Sequence, residues 1–252
     1  MSSQADAHTE QPSLEGKKAI VTGGTTGIGR AIAVLLASYG VDVFICGRDP
    51  QHLEDALGRI NEVGKGDGIA IDLSEADNVK RLFDAGTAYL GGLDIAVINA
   101  AGAAQGIADT DEAELRHAIA TDFTAYLLSA HAANAALKDH GNIVFVGSMS
   151  AHVLGGGSSI YSGIKYGIQG FAEALRKELA PKGIQVGVVE PGKTGADMQY
   201  ESFSAQEQAD AINREEMLRA EDIAVATHFM LTQPRRAVVQ QVTVAPRQQP
   251  GE

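Results

Sequence analysis

Residues 19–40 read AIVTGGTTGIGRAIAVLLASYG, and the order of events within them decides the fold. A β-branched apolar run stops at Thr22, glycines follow at 23, 27 and 29, and an Ala- and Leu-rich helical pattern begins there. Glycines at such a junction let the chain turn tightly and let a pyrophosphate approach backbone N–H groups and the positive end of a helix. A glycine pattern alone is a weak signal; one that follows a strand and opens a helix in the first βα unit is a strong one. Gly23, Thr25, Thr26, Gly27, Ile28 and Gly29 are therefore the first candidate binding residues.

Working outward, short apolar runs recur at KKAIVTG, VDVFICG, GIAIDL (68–73), LDIAVINA, GNIVFVGS, IQVGVVEPG and QQVTVAP, each bounded by Gly, Asp, Asn or Pro. They read as buried strands. Helical stretches lie between them at about 28–39, 51–62, 75–90, 111–138, 159–180 and 221–232, several with acidic first turns. This alternation predicts an α/β chain: one doubly wound, Rossmann-type parallel sheet of about seven strands with helices on both faces. The domain spans 14–246, and the polar ends 1–13 and 247–252 are expected to fray. The long polar stretch 193–220 follows the carboxyl end of a strand, where such sheets bind ligands, and reads as a lid or as a solvated excursion.

Composition sets outer limits. With 252 residues, 44% hydrophobic and 21% charged, the chain reads as neither disordered nor built for a membrane, and since its first residues have neither a basic start nor an apolar core, no secretion signal is expected. A cytoplasmic location follows as the expectation. A formal charge of −12 without a basic stripe argues against nucleic acid, so an anionic cofactor must be held by local donors. The single cysteine, Cys46, sits in an apolar run and reads as a core filler. The seven histidines form no H-x-x-x-H pair and join no cysteine at ligand spacing, so no metal site is expected. His152 reads as a loop histidine or as a residue at the mouth of a substrate pocket.

The stretch SSIYSGIKYG at 158–167 places Tyr161 and Lys165 one helical turn apart on one face. With the glycine turn, they suggest chemistry. The chain here resembles the short-chain dehydrogenase/reductase family in its classical single-domain form. The matching motifs run in order: Thr22-Gly23-x-x-x-Gly27-x-Gly29, NAAG at 99–102, Ser148, Tyr161-x-x-x-Lys165, and Pro191-Gly192. Together they span most of the chain.

The resemblance implies an oxidoreductase that interconverts a carbonyl and a secondary alcohol on a small molecule with NAD(H) or NADP(H). Tyr161 would be the general acid/base, Lys165 its tuning ammonium and a ribose contact, and Ser148 a donor to the substrate oxygen. Asn99, Ala100, Gly102, Pro191, Gly192 and Thr194 would line the nucleotide, and Asp72 and Leu73, ending the third strand, would flank the adenine. Where a ribose-binding acid would select NAD(H), this chain has Gly47 followed by Arg48, and a guanidinium suits the 2′-phosphate of NADP(H). Arg48 paired with Asp49 or Glu54 on the surface is the competing reading. Asp122 stands where many relatives carry an asparagine that holds a water next to the lysine; a carboxylate accepts hydrogen bonds and does not donate them.

The helix 111–138, apolar on more than one face, fits the helix-to-helix interfaces of relatives and implies a homo-oligomer, dimer or tetramer. The C-terminal QQVTVAPRQQ lacks a double glycine, which resembles the branch acting on 3-hydroxy acids or 3-oxoacyl thioesters. A nucleotide-binding regulatory protein without catalysis is the alternative from another class. An enoyl reductase expects a longer Tyr-to-Lys interval.

Overall fold

The structure is a computed structural model that describes residues 11–196 and 203–248, apart from the side chains of residues 138 and 139. Seven strands form one sheet: β1 Lys18–Val21, β2 Asp42–Gly47, β3 Lys65–Ala70, β4 Leu93–Ile98, β5 Leu137–Val146, β6 Gln185–Pro191 and β7 Gln241–Val244. Their order is β3-β2-β1-β4-β5-β6-β7, and every pair is parallel. The order reverses between β1 and β4, which opens a crevice at the carboxyl ends of the central strands.

Period-2 alternation in the central strands explains the two layers. Ile20, Ala96, Ile98, Ile143 and Phe145 face one core with α3 (Ala76–Leu90), α5 (Ala125–Ala136) and α6 (Ser159–Leu179). Ala19, Val21, Ile95, Val97, Val144 and Val146 face the other, with α1 (Gly27–Ser38), α2 (Pro50–Val63) and α8 (Ala220–Leu231). Both faces of these strands are apolar because both are covered. Cys46 is fully buried at β2, and burial pushes its thiol up to about 12, so it is an inert filler as expected. Among the described residues no helix is long and apolar enough to cross a membrane.

Three elements differ from the sequence reading. The third strand lies earlier than 68–73: it starts at Lys65, whose ammonium pairs with Asp42 across the sheet, and ends at Ala70. Asp72 ends it by accepting the Ser74 N–H at 2.9 Å, an Asx turn that draws the backbone off the ladder. Asp72 and Leu73 therefore stand just past the strand rather than at its end.

The single helix expected over 111–138 is three pieces. α4 (Glu112–Ile119) opens on a capping box between Asp111 and Glu114, a π-helical turn occupies Ala120–Thr124, and α5 follows. The helix stops at Ala136, and β5 already begins at Leu137. A π-helical turn re-aims side chains within an otherwise regular helix, and this one carries Asp122.

The stretch 193–220 has its own structure. A helix, α7 (Ala205–Asn213), is capped by Ser204 and Glu207. The two ends of the stretch are joined where Gly195 N–H donates to Leu218 O at 2.8 Å and Leu218 N–H donates to Lys193 O at 2.8 Å. Residues 197–202 of it lie outside the described residues, as do 1–10 and 249–252 of the two expected tails. Arg247 pairs with Glu215, and Gln248 N–H donates to Glu215 O at 3.0 Å, so the start of the C-terminal tail is tied to this stretch.

Candidate active site

The glycine turn is built by close approach. Gly23 and Gly27 have φ of +62° and +50°, in the left-handed region that glycine enters without strain. A Cβ on Gly29 would lie 2.1 Å from Gly23 O and 2.5 Å from Asn99 Nδ2, so the start of the helix packs on the turn and on the Asn99 amide with no room for a side chain. Asn99 locks this contact, its amide donating to Thr22 O and Gly23 O at 3.1 Å each. Thr22 Oγ1 in turn accepts from the N–H groups of Asn99 and Ala100, at 2.8 and 3.0 Å. The NAAG segment is thereby fixed beside the turn.

The N-terminus of α1 meets this cradle without a side-chain cap at Thr26 and without an acid in its first turn. By contrast α2, α4 and α7 are each capped by their own Asp or Ser. Free N–H groups at α1 beside a glycine cradle suit an anionic ligand. Gly27 abuts Ala196, so the loop after β6 rests on the turn. Thr194, buried in that loop, donates its hydroxyl to Gly192 O at 3.0 Å. Pro191 ends β6 as it leaves the sheet, and Gly192 N–H donates to Val244 O at 2.7 Å.

At the end of β2, a Cβ on Gly47 would stand 2.1 Å from Thr25 Oγ1. With a threonine at 25 the position has no room for an acid. Arg48 is exposed and takes part in no ion pair among the described residues, while Asp49 is occupied as the cap of α2, accepting from Gln51 and His52. The surface pairing weighed from sequence is therefore not formed. Arg48 instead contributes to the field at Asp72 and Asp122. Burial works to raise Asp72, yet the Ser74 hydrogen bonds with the Arg48 and His117 charges hold it below its ordinary value. Leu73 is buried beside it.

Ser148, Tyr161 and Lys165 converge beyond the ends of β4 and β5. Ser148 caps a short 3₁₀ turn, accepting from Ser150 N–H at 3.1 Å, and its hydroxyl works to lower the pKa of Tyr161. Lys165 is buried, its Nζ 5.5 Å from the centre of the Tyr161 ring. Burial pushes Tyr161 up to about 12; the Ser148 hydrogen bond opposes this and Asp122 adds to it. Burial also brings Lys165 down to about 8, with Asp122 working the other way. In this site the lysine loses its charge before the tyrosine would, so whatever holds the ammonium charged controls its use as a tuner.

Asp122 is fully buried in the π-helical turn. Its Oδ1 accepts from Gly102 N–H at 2.7 Å, which ties the helix to the NAAG segment, and its Oδ2 has no hydrogen-bond partner among the described residues. Burial raises its pKa, while the Gly102 N–H and the Lys165 charge work to lower it. It acts on Lys165 through space, not through a direct ion pair.

Two residues here were missed in the sequence. Tyr126, fully buried in α5, places its hydroxyl 3.2 Å from Lys165 Nζ, 3.0 Å from Asn99 O and 3.1 Å from Val146 O. Glu190, fully buried in β6, accepts from Gln241 Nε2 at 2.6 Å, Thr243 Oγ1 at 3.3 Å and His152 Nε2 at 3.0 Å. His152 is thus anchored to the sheet, not loose in its loop. A carboxylate inside the apolar run VGVVEPG was the available signal for Glu190. No group of three or more metal-ligating side chains occurs among the described residues.

The family model for short chain dehydrogenases matches residues 17–207. An uncharacterised oxidoreductase of Staphylococcus aureus (strain USA300) is 30% identical over 242 residues, covering 92% of this chain and 98% of that protein. Among solved structures, a short chain dehydrogenase from Burkholderia cenocepacia J2315 in complex with NADP superposes with a TM-score of 0.83 at 29% identity, covering 93% of this chain and 98% of that one. A dehydrogenase/reductase from Sinorhizobium meliloti 1021 gives 0.82 at 30% identity, covering 92% and 95%. With the motifs of residues 22–29, 99–102, 148, 161–165 and 191–192 standing in one crevice, this chain belongs to the short-chain dehydrogenase/reductase family and is an oxidoreductase of that family.

Proposed function

We propose that the protein uses NADP(H) to interconvert a carbonyl and a secondary alcohol on a small molecule, with Tyr161 as general acid/base. The observation that carries this reading is the meeting of Tyr161, Ser148 and buried Lys165 beside a glycine cradle that a Cβ at 29 would fill. When bound, the nicotinamide nucleotide supplies or accepts the hydride. Gly23 to Gly29 and the open start of α1 would hold its pyrophosphate; Asn99, Ala100, Gly102, Pro191, Gly192 and Thr194 would line it, with Asp72 and Leu73 near the adenine. Arg48 would meet a 2′-phosphate, and Thr25 packed against Gly47 supports NADP(H) over NAD(H). The NADP held by the Burkholderia relative supports the same choice.

The chain's own part is to orient and to move a proton. Ser148 donates to the substrate oxygen as negative charge grows there, and the Tyr161 O–H delivers its proton to that oxygen. Lys165 lowers the cost of the tyrosinate left behind, provided it is charged, and Asp122 favours that charge. The joined ends of residues 193–220, seated on the glycine turn through Ala196, support a lid over the crevice. A homo-oligomer, dimer or tetramer, agrees with the 61% exposure of Tyr166 on α6 and the 45% exposure of Phe229 on α8.

The test is a nucleotide-oxidation screen over ketones, oxo-esters and oxo-acids, run with NADPH and repeated with NADH. Activity with NADPH is expected, and Tyr161→Phe should bind NADPH normally while losing about a hundred- to ten-thousandfold in turnover. A preference for NADH would overturn the Arg48 assignment. A protein that uses the nucleotide only as a signal would show no turnover and would be indifferent to the Tyr161 hydroxyl.

A further inference from the structure

We propose that Tyr126 is a positioning residue for this reaction, acting through Lys165: its hydroxyl and ring form the resting seat of the ammonium and tie that seat to both walls of the crevice. The inference rests on the reading of Tyr161 and Lys165 as the acid/base pair.

Hydrogen-bond capacity shows why. A phenol has one proton to give and two lone pairs to accept with. Two backbone carbonyls, Asn99 O at 3.0 Å and Val146 O at 3.1 Å, compete for that one proton. Whichever carbonyl takes it, Oη keeps a lone pair with which to accept from Lys165 Nζ at 3.2 Å. Lys165 gives a second N–H to Val146 O, also at 3.2 Å, which leaves a third to work in the crevice. The ammonium also lies 4.8 Å from the centre of the Tyr126 ring, within range of an attractive cation–π contact. The ring itself is held by Phe145, with centroids 6.3 Å apart and planes 18° from parallel.

These contacts have a chemical consequence because burial strips the ammonium of water. The groups facing Lys165 are Asp122 from the π-helical turn, Tyr126 from α5, Tyr161 on its own helix and the Val146 carbonyl from β5. Asp122 makes no direct contact, so the neutral oxygens of Tyr126 and Val146 and the Tyr126 ring are what touch the charge. The two tethered carbonyls belong to different functions. Asn99 starts the segment that packs on the glycine turn, and Val146 leads directly to Gly147 and Ser148. The one hydroxyl lies within hydrogen-bond reach of both, and Lys165 binds Val146 O directly as well, so the lysine is held in register with the two segments.

The test substitutes Tyr126→Phe, which keeps the ring and removes the oxygen. In nucleotide-free protein, the Lys165 side-chain signal, followed by ¹³C NMR, should titrate near 8 in the unaltered chain and at a lower pH in the variant. In carbonyl reduction, the alkaline limb of kcat/KM should move to lower pH by about half a unit to one unit. That lowers kcat/KM about three- to tenfold above the inflection and leaves it unchanged well below, with substrate KM little altered. A purely structural role would lower the melting temperature and leave both curves in place, which overturns the inference.

If Tyr126→Phe does not fold, ¹³Cζ-tyrosine labelling of the unaltered protein gives the same decision. The Tyr126 signal should then move with the Lys165 inflection, and a flat Tyr126 signal overturns the inference. The two readings fail separately: Tyr161→Phe with normal turnover removes the acid/base assignment, whereas an unmoved Lys165 titration removes only the role of Tyr126.

Discussion

The glycine turn at residues 23–29 and the buried end of the crevice around Lys165 meet the same ligand class by opposite means. In the turn, side chains are missing where helix, strand and Asn99 amide close to within a Cβ's radius of one another. At the buried end, four titratable side chains, Asp122, Tyr126, Tyr161 and Lys165, share a space without enough partners for all their polar atoms, and Asp122 Oδ2 is left over. The turn costs little and tolerates nothing, because backbone cannot give way. The buried end is costly to fold and adjustable, because each charge there is a balance of burial against neighbours.

The sharpest way to break that contrast is Gly29→Ala. The new methyl would meet Gly23 O at 2.1 Å, a backbone atom that Asn99 already holds. Overpacking of this kind costs about 3 kcal/mol, so nucleotide affinity, read by NADPH fluorescence titration, should fall about a hundredfold. Wild-type affinity in this variant would mean that the turn is not the rigid half of the pair.

Lys165→Met makes the complementary break. The folded pKa of Lys165, about 8, lies below its ordinary 10.5, so the unfolded chain holds that proton more tightly. The resulting penalty is full below about 8, shrinks as pH rises from 8 to 10.5, and is gone above. Removing the charge should therefore abolish turnover and yet stabilise the fold at pH 7 by about 2 kcal/mol, after allowing for the support Asp122 loses. Urea midpoints at pH 7 and pH 10.5 check this. A stabilisation that persists unchanged at the higher pH would assign it to packing and not to the buried charge.

The same contrast decides what could be seen in the sequence. The glycine turn is local: its spacing, the strand before it and the helix after it stand within residues 18–38, so its place and its use are written in one stretch. Tyr161 and Lys165 are also local, four residues apart on α6. The rest of the buried end is assembled over distance. Tyr126 meets Lys165 across 39 positions and Val146 across 20, and its helix looked merely apolar.

Boundaries failed for related reasons. The π-helical turn at 120–124 leaves no periodic mark in an Ala-rich run, yet it is what turns Asp122 toward Gly102. Hydropathy places β3 late because the apolar residues of this stretch gather at 68–73, partly beyond its end at Ala70; KGDG pairs with β2 through backbone and the Lys65–Asp42 ion pair, which hydropathy does not register.

The smallest effect, and the finest division between the two regions, belongs to Asp122→Asn. The amide keeps an oxygen for the Gly102 N–H, so the link from the π-helical turn to the NAAG segment survives, and only the charge is lost. Burial raises the folded pKa of Asp122 above 3.8, so the native state binds this proton more readily than the unfolded chain does. Stability is then lost as pH rises through the folded pKa, and the full penalty is present above it. The asparagine variant should accordingly be more stable than the unaltered protein at pH 7 and no more stable at pH 3, read from urea midpoints. Catalysis should respond in the other direction. Asp122 supports the Lys165 charge, so its removal should draw the alkaline limb of kcat/KM to lower pH by about half a unit, while the rate at pH 6 stays within about threefold. Asp122→Ala removes the Gly102 acceptor as well, and should add a loss of nucleotide affinity that the asparagine variant lacks. If neither variant alters turnover or its pH profile, the carboxylate takes no part in holding Lys165 charged, and the adjustable half of the crevice shrinks to Tyr126, Tyr161 and Lys165.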